Sequence, residues 1–194
     1  MPVAACKLLT YKGQYSTCHI KVPDIDSKLS AIRIDGRYYS LFRRFDDADL
    51  AMKAFNKLSK QGGDDLALTR LTNGCYVMWA LENEAQVFKG PRKKSLDWPT
   101  HGPATCLMLG DAKQYYQCYV QVPDLADPMV AVNYEEQFYS VYKPGLSGAE
   151  AFELAAQFTG RGNDSAIAAT TKGYAVCLLE PEASTNASNQ PANA

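Results

Sequence analysis

Two histidines and six cysteines are the residues of this chain best suited to nucleophilic or acid–base work, and their spacing argues against most of it. Cys18 and His19 are adjacent on a stretch that alternates like a strand, so their side chains leave on opposite faces and cannot pair as thiolate and imidazole. His101 lies among prolines. No cysteines are spaced Cys-x-x-Cys, so the pattern is not that of a zinc site, and six in 194 residues is too sparse for a disulfide scaffold. Cys6 and Cys18 recur as Cys106 and Cys118, whereas Cys75 and Cys177 stand unmatched. All six read as thiols packed like small apolar side chains, with a Cys6–Cys18 bridge across neighbouring strands as the lesser alternative. Gly62-Gly63-Asp64 and Gly160-Arg161-Gly162-Asn163-Asp164 each follow a helical pattern, where glycine caps a helix; a phosphate cradle would precede one. Asp64 and Asp164 then read as turn formers. No catalytic residue, metal ligand or cofactor is expected, and the enzyme reading is disfavoured.

Binding chemistry has more to work with. Arg33, Tyr38, Phe42 and Arg44, with Arg37 in the turn, combine cations and π faces on one strand pair, and Phe138 and Tyr142 stand at the positions of Tyr38 and Phe42 one hundred residues later. Such a set serves as anchors for a protein partner or as a stacking surface for single-stranded nucleic acid. The basic cluster Lys89, Arg92, Lys93 and Lys94 adds to the second reading. Against it, Asn133 and Gln137 replace Arg33 and Arg37, and the pI is about 6.1. Packing of Tyr38 and Phe42 under a helix or the sister unit explains the aromatics without any partner.

The elements that carry these residues are repeated. Without gaps, residues 6–42 and 106–142 share 11 identities in 37 positions: Cys6, Leu9, Gln14, Tyr15, Cys18, Val22, Pro23, Asp24, Ala31, Tyr39 and Ser40 with their counterparts. At the centre of each copy is a hairpin, AIRIDGRYYSLF turning at Asp35-Gly36 and AVNYEEQFYSVY turning at the less suitable Glu135-Glu136. The alternation places Ile32, Ile34, Tyr39 and Leu41 on one face and Arg33, Tyr38, Ser40 and Phe42 on the other. Before each hairpin comes an apolar strand, a turn near Lys12-Gly13, and a strand ended by Pro23, in which Cys18 faces the core and Tyr15, like Tyr115, falls on the outward side. After it comes a helix over 46–61, with Ala48, Ala51, Met52, Phe55 and Leu58 on one face. Its counterpart opens with the capping box Ser147-Gly148-Ala149-Glu150 and carries Ala151, Phe152, Leu154, Ala155 and Phe158. A last hairpin turns at Asn73-Gly74, echoed at Lys172-Gly173.

The expected fold is therefore α+β: a tandem duplication of a mainly antiparallel sheet unit of four strands, one helix and two strands. Residues 1–85 form a basic repeat, 86–103 a Pro/Gly and basic linker, 104–183 an acidic repeat and 184–194 a disordered tail. Residues 1–97 hold 16 Lys and Arg against 11 Asp and Glu, and 98–194 hold 4 against 10, so self-association through oppositely charged repeats is open to it. No apolar run is long enough to insert in a membrane and no secretory leader is evident, which places the chain in the cytoplasm. The leading expectation is a non-enzymatic adaptor or regulatory protein binding another protein. Single-stranded nucleic-acid binding through the first repeat and linker is the alternative, and an enzyme or small-molecule sensor at the cleft between repeats the third.

Overall fold

The computed structural model describes residues 5–60, 65–88 and 102–185. The chain runs β1 Ala5–Leu9, β2 Ser16–Val22, β3 Ile25–Ile34, β4 Arg37–Phe45, α1 Ala48–Lys60, β5 Leu66–Arg70, β6 Tyr76–Leu81 and β7 Gln86–Val87. It continues β8 Cys106–Leu109, β9 Tyr116–Val120, β10 Met129–Tyr134, β11 Gln137–Leu146, α2 Gly148–Gly160, β12 Ser165–Thr170 and β13 Gly173–Leu179. All thirteen strands lie in one sheet of order β7-β2-β3-β4-β6-β5-β1-β8-β12-β13-β11-β10-β9. Its pairs are antiparallel except β1 with β5 and β8 with β12, giving an α+β fold of one large sheet and two helices. No helix among the described residues is long and apolar enough to cross a membrane.

At the middle of the sheet β1 and β8 run antiparallel with Cys6 opposite Cys106. These two residues are counterparts in the sequence alignment. Cys6 and Cys18 are not on neighbouring strands as expected: β3, β4, β5 and β6 separate β1 from β2, and all six cysteines are free thiols.

Both helices lie on one face and share one core. Ala51, Met52 and Phe55 of α1 and Ala151, Phe152 and Ala155 of α2 join Leu8, Leu68, Met78, Met108, Ile167 and Val176 from strands of both halves. The helices start where their caps place them. Asp47 Oδ1 accepts the Leu50 N–H at 2.9 Å, and Ser147 and Glu150 exchange the expected capping-box bonds. Asp49 of α1 accepts the Gly148 N–H at 2.6 Å, so one helix supplies a carboxylate to the positive end of the other.

On the opposite face each half curls over itself. Leu9, Ala67, Val77 and Trp79 meet Ile32, Ile34 and Tyr39, and Leu109, Ala166, Ala168 and Ala175 meet Val132, Tyr134 and Tyr139. Strands β5 and β6 are therefore buried on both sides and read as continuous apolar runs. Tyr15 and Tyr115, expected outward, are drawn into these curled cores, and the Tyr115 hydroxyl donates to the Ala169 carbonyl at 3.0 Å. Alternation along the strand names a face correctly, but a curled sheet has an inside on both.

Asp35-Gly36 turns with φ of 48° and 81°, and Glu135-Glu136 adopts the same conformation at 48° and 65° without a glycine. The left-handed backbone costs roughly 1–2 kcal/mol per such residue. A bond from the Tyr134 hydroxyl to Glu135 at 2.8 Å works against that cost. The final hairpin turns one residue earlier than expected, at Thr171-Lys172, because Thr170 pairs with Gly173.

Candidate interaction surface

β-Bulges decide where the expected binding residues point. Leu41 pairs with Trp79 and Arg43 with Met78, leaving Phe42 as the extra residue, and Tyr142 is extra in the same way between Val141–Cys177 and Lys143–Val176. The expected single face is thus broken. Tyr38 to Leu41 keep the period-2 phase and the register shifts beyond Leu41; Leu41 and Phe42 are nonetheless 50% and 53% exposed, and Tyr142 is 58% exposed. Leu41 is thereby corrected from an inward residue to a surface one. The Tyr142 ring rests edge-on against Phe158 of α2 at 4.9 Å. Around Phe42 stand Arg43, 5.2 Å from the Phe45 ring centroid, and Arg44, which donates to Cys75 Sγ at 3.0 Å.

The remaining expected residues fall elsewhere. Arg33 lies 5.8 Å from the ring centroid of the half-buried Tyr38. Phe138 packs against the cluster of Cys118, Val120 and Ala131 and is a packing residue. Arg37 donates to Asp65 at 2.7 Å near the mouth of the first curled half. Lys89, Arg92, Lys93 and Lys94 lie outside the described residues, as do His101, Gly62, Gly63 and Asp64. The seven expected partner-binding residues therefore do not form one patch: Phe42 and Tyr142 are exposed at matching bulges, Arg44 stands opposite Val77 and is held by Cys75, and Arg33–Tyr38 and Arg37 lie elsewhere.

Spacing did not reveal two features. The first is a corner that follows the last strand of each half, Leu81-Glu82-Asn83-Glu84-Ala85 and Leu179-Glu180-Pro181-Glu182-Ala183. Ser40 donates to Glu82 at 2.6 Å and Ser140 to Glu180 at 2.7 Å, while the Glu82 and Glu180 N–H groups donate to the Tyr38 and Phe138 carbonyls at 2.8 Å. Beyond the corner the chain returns to the sheet edge. Gln86 and Val87 pair with Lys21 and Ile20, so the segment expected to begin the linker starts as a strand. Ser184, expected to open the tail, bridges Gln121. The second feature is Phe88, whose N–H donates to the His19 carbonyl and whose ring centroid lies 5.8 Å from both Lys21 and Lys28. The paired Glu-x-Glu-Ala motif was the available signal, hidden because its offset is 98 residues where the alignment runs at 100.

Four of the thiols are held in their neutral form by burial. Burial raises Cys6 well above the ordinary thiol range, raises Cys18 and Cys118, and pushes Cys177 up to about 12. Among the described residues no group of three or more His, Cys, Asp or Glu side chains could hold a metal ion. Comparison with protein-family models, curated proteins and solved structures finds no match to this chain.

Proposed function

We propose that the chain is a binding protein built from a duplicated unit, which engages a protein partner through the aromatic bulges at Phe42 and Tyr142. The observation that carries this reading is the exposure of these two large rings, 53% and 58%, at matching bulges. A bulge that leaves a ring more than half exposed gains little in core packing, and tyrosine and arginine are among the side chains most often found at the energetic centre of interfaces. Arg43, next to Phe42 in the chain, favours a partner surface that is apolar at its centre and acidic at its rim. The matching order of strands and helices in the two halves supports the duplication.

A photo-crosslinking phenylalanine analogue at position 42 of the full chain tests it. One dominant protein is expected in the crosslink, and the Arg43→Glu/Arg44→Glu variant should lose it while unfolding unchanged. Crosslinking that is unspecific, or indifferent to the two charges, removes this surface from the role.

A second reading, single-stranded nucleic acid, is favoured by Phe88 with its two lysines, a stacking face flanked by cations in the basic half. Binding of labelled single-stranded RNA or DNA should then weaken steeply with salt and drop in Phe88→Ala. Absent or salt-insensitive binding rejects it.

A further inference from the structure

The mouth of the first curled half holds a charged set that the bulge surface does not use. A cavity of about 280 Å³ is lined by Lys7, Asp35, Arg37, Tyr39, Asp65 and Thr105, among others. Lys7 comes from β1 at the centre of the sheet, Asp35 and Arg37 from the β3–β4 hairpin that curls over it, and Thr105 from the chain entering the second half. Lys7 donates to the Pro103 carbonyl at 2.6 Å and stands 3.7 Å from Asp35, a loose ion pair. Asp35 also accepts the Gly102 N–H, and Arg37 is paired with Asp65 at 2.7 Å.

The second half provides an internal control. At the corresponding places it carries Leu107, Glu135, Gln137, Tyr139 and Asp164. It has neither cation, yet its curl closes as tightly: Leu109, Val132 and Tyr139 are 0%, 4% and 3% exposed. The ion pairs of the first half are thus not needed to close the sheet. Partly exposed pairs of this kind contribute little stability, and half-buried charges lose hydration. The two tyrosines differ in the same sense. Tyr139 donates to Gln137 Oε1 at 2.9 Å, a bond that Arg37, which has no acceptor atom, cannot offer Tyr39. The first half has therefore exchanged an apolar residue and an amide for two cations around a cavity that also holds a phenol and an alcohol.

Two ammonium or guanidinium groups and two carboxylates sum to no net charge, so the cavity matches a ligand that is itself neutral overall but carries separated charges. Its volume, at the small end of ligand cavities, limits that ligand to a compact molecule. We infer that this cavity binds a small zwitterion of the free amino-acid type, which opens the Arg37–Asp65 and Lys7–Asp35 pairs: its carboxylate replaces the two aspartates on Lys7 and Arg37, and its ammonium takes up Asp35 and Asp65. Tyr39 and Thr105 supply hydroxyls at the cavity wall. Binding is non-covalent and independent of the Phe42 and Tyr142 surface.

Calorimetric titration and thermal-shift measurement of the full-length protein test this, with each free L-amino acid in turn and with acetate, methylamine and N-acetylated amino acids as single-charge controls. At least one amino acid should give a saturable signal that its N-acetylated form and acetate do not. The Lys7→Leu/Arg37→Gln variant, which installs the residues the second half already carries there, should fold and bind roughly tenfold or more weakly. Asp65→Asn should weaken binding from the ammonium side if the double variant fails to fold. The inference is overturned if no amino acid binds at millimolar concentration, if the single-charge controls bind as well, or if the variants bind unchanged.

Discussion

Tyr39 and Tyr139 occupy matching positions one hundred residues apart, 1% and 3% exposed, and burial pushes both phenols up to about 12. A phenol whose folded pKa is raised above the ordinary value near 10 contributes stability that is whole below that value and is lost as pH rises toward 12. Ultraviolet titration should therefore find these two tyrosines silent between pH 10 and the onset of unfolding, and unfolding itself should set in as pH climbs through that window. Ionisation of every tyrosine near pH 10 with the fold intact would contradict their burial. Other residues were readable from alternation alone: Ile32, Ile34 and Tyr39 are core, and Cys18 faces inward with His19 outward. The residues after Phe42 were not, because one extra residue in β4 inverts the phase and brings Phe45 into the helix-side core, and no local composition announces a bulge at Leu41-Phe42. Tyr15 was missed for a different reason. Its strand face is outward only in a flat sheet, and curling is a property of strands far away in sequence.

Helix α2 depends on its first turn more visibly than any other element. Ser147 accepts from the Glu150 N–H, and Glu150 takes the Ser147 N–H at 2.9 Å and its hydroxyl at 2.7 Å. Ser147→Ala should cost about 1 kcal/mol, read as a lower denaturation midpoint with an unchanged slope. The two Ser147 bonds hold the Glu150 carboxyl below its ordinary value of 4.5. A depressed acid stabilises above its unfolded pKa and stops doing so as pH falls through the folded one. The difference between wild type and Glu150→Gln should thus be present at neutral pH and fade below about pH 4. The corner after the last strand is the other element to probe. Ser140 is 3% exposed and bonded to Glu180 at 2.7 Å, so Ser140→Ala leaves a half-buried carboxylate short of a donor. The expected loss is about 1.5–3 kcal/mol, with Ser40→Ala behaving alike through Glu82. Helix positions, faces and the Ser147 cap were legible because they rest on near neighbours in sequence. The corners and β7 were not, since their meaning comes from the strand edge they return to.

At the scale of the molecule, two halves long enough to suggest separate cores instead share one on the helix side. Tyr76 of the first half meets Phe152 of the second ring to ring at 5.3 Å, Arg70 pairs with Glu153, and Asp49 bonds Gly148. The sequence carries the matching positions of residues 6–42 and 106–142, but the joining of β1 to β8 hangs on a few residues around Cys6 and Cys106, whose pairing no pattern encodes. The consequence for the opposite charges of the halves is that they lie side by side in one sheet, where Arg70 and Glu153 already answer each other. Phe152→Ala removes a fully buried ring from the shared core and should destabilise by roughly 3–5 kcal/mol. Because the core is common, that loss should appear in a single transition reported equally by Trp79, in the first half, and by far-ultraviolet circular dichroism over the whole chain. Cutting the chain after Asp97 strips Cys6, Leu8, Met52 and Phe55 of their partners Cys106, Met108 and Phe152 and bares the edge of β1. Residues 1–97 alone should then show no cooperative melt, and mixing with residues 98–194 should restore one. A sharp two-state transition in the isolated first half would mean instead that its curled face suffices as a core, and that the two helices close over a joint rather than create one.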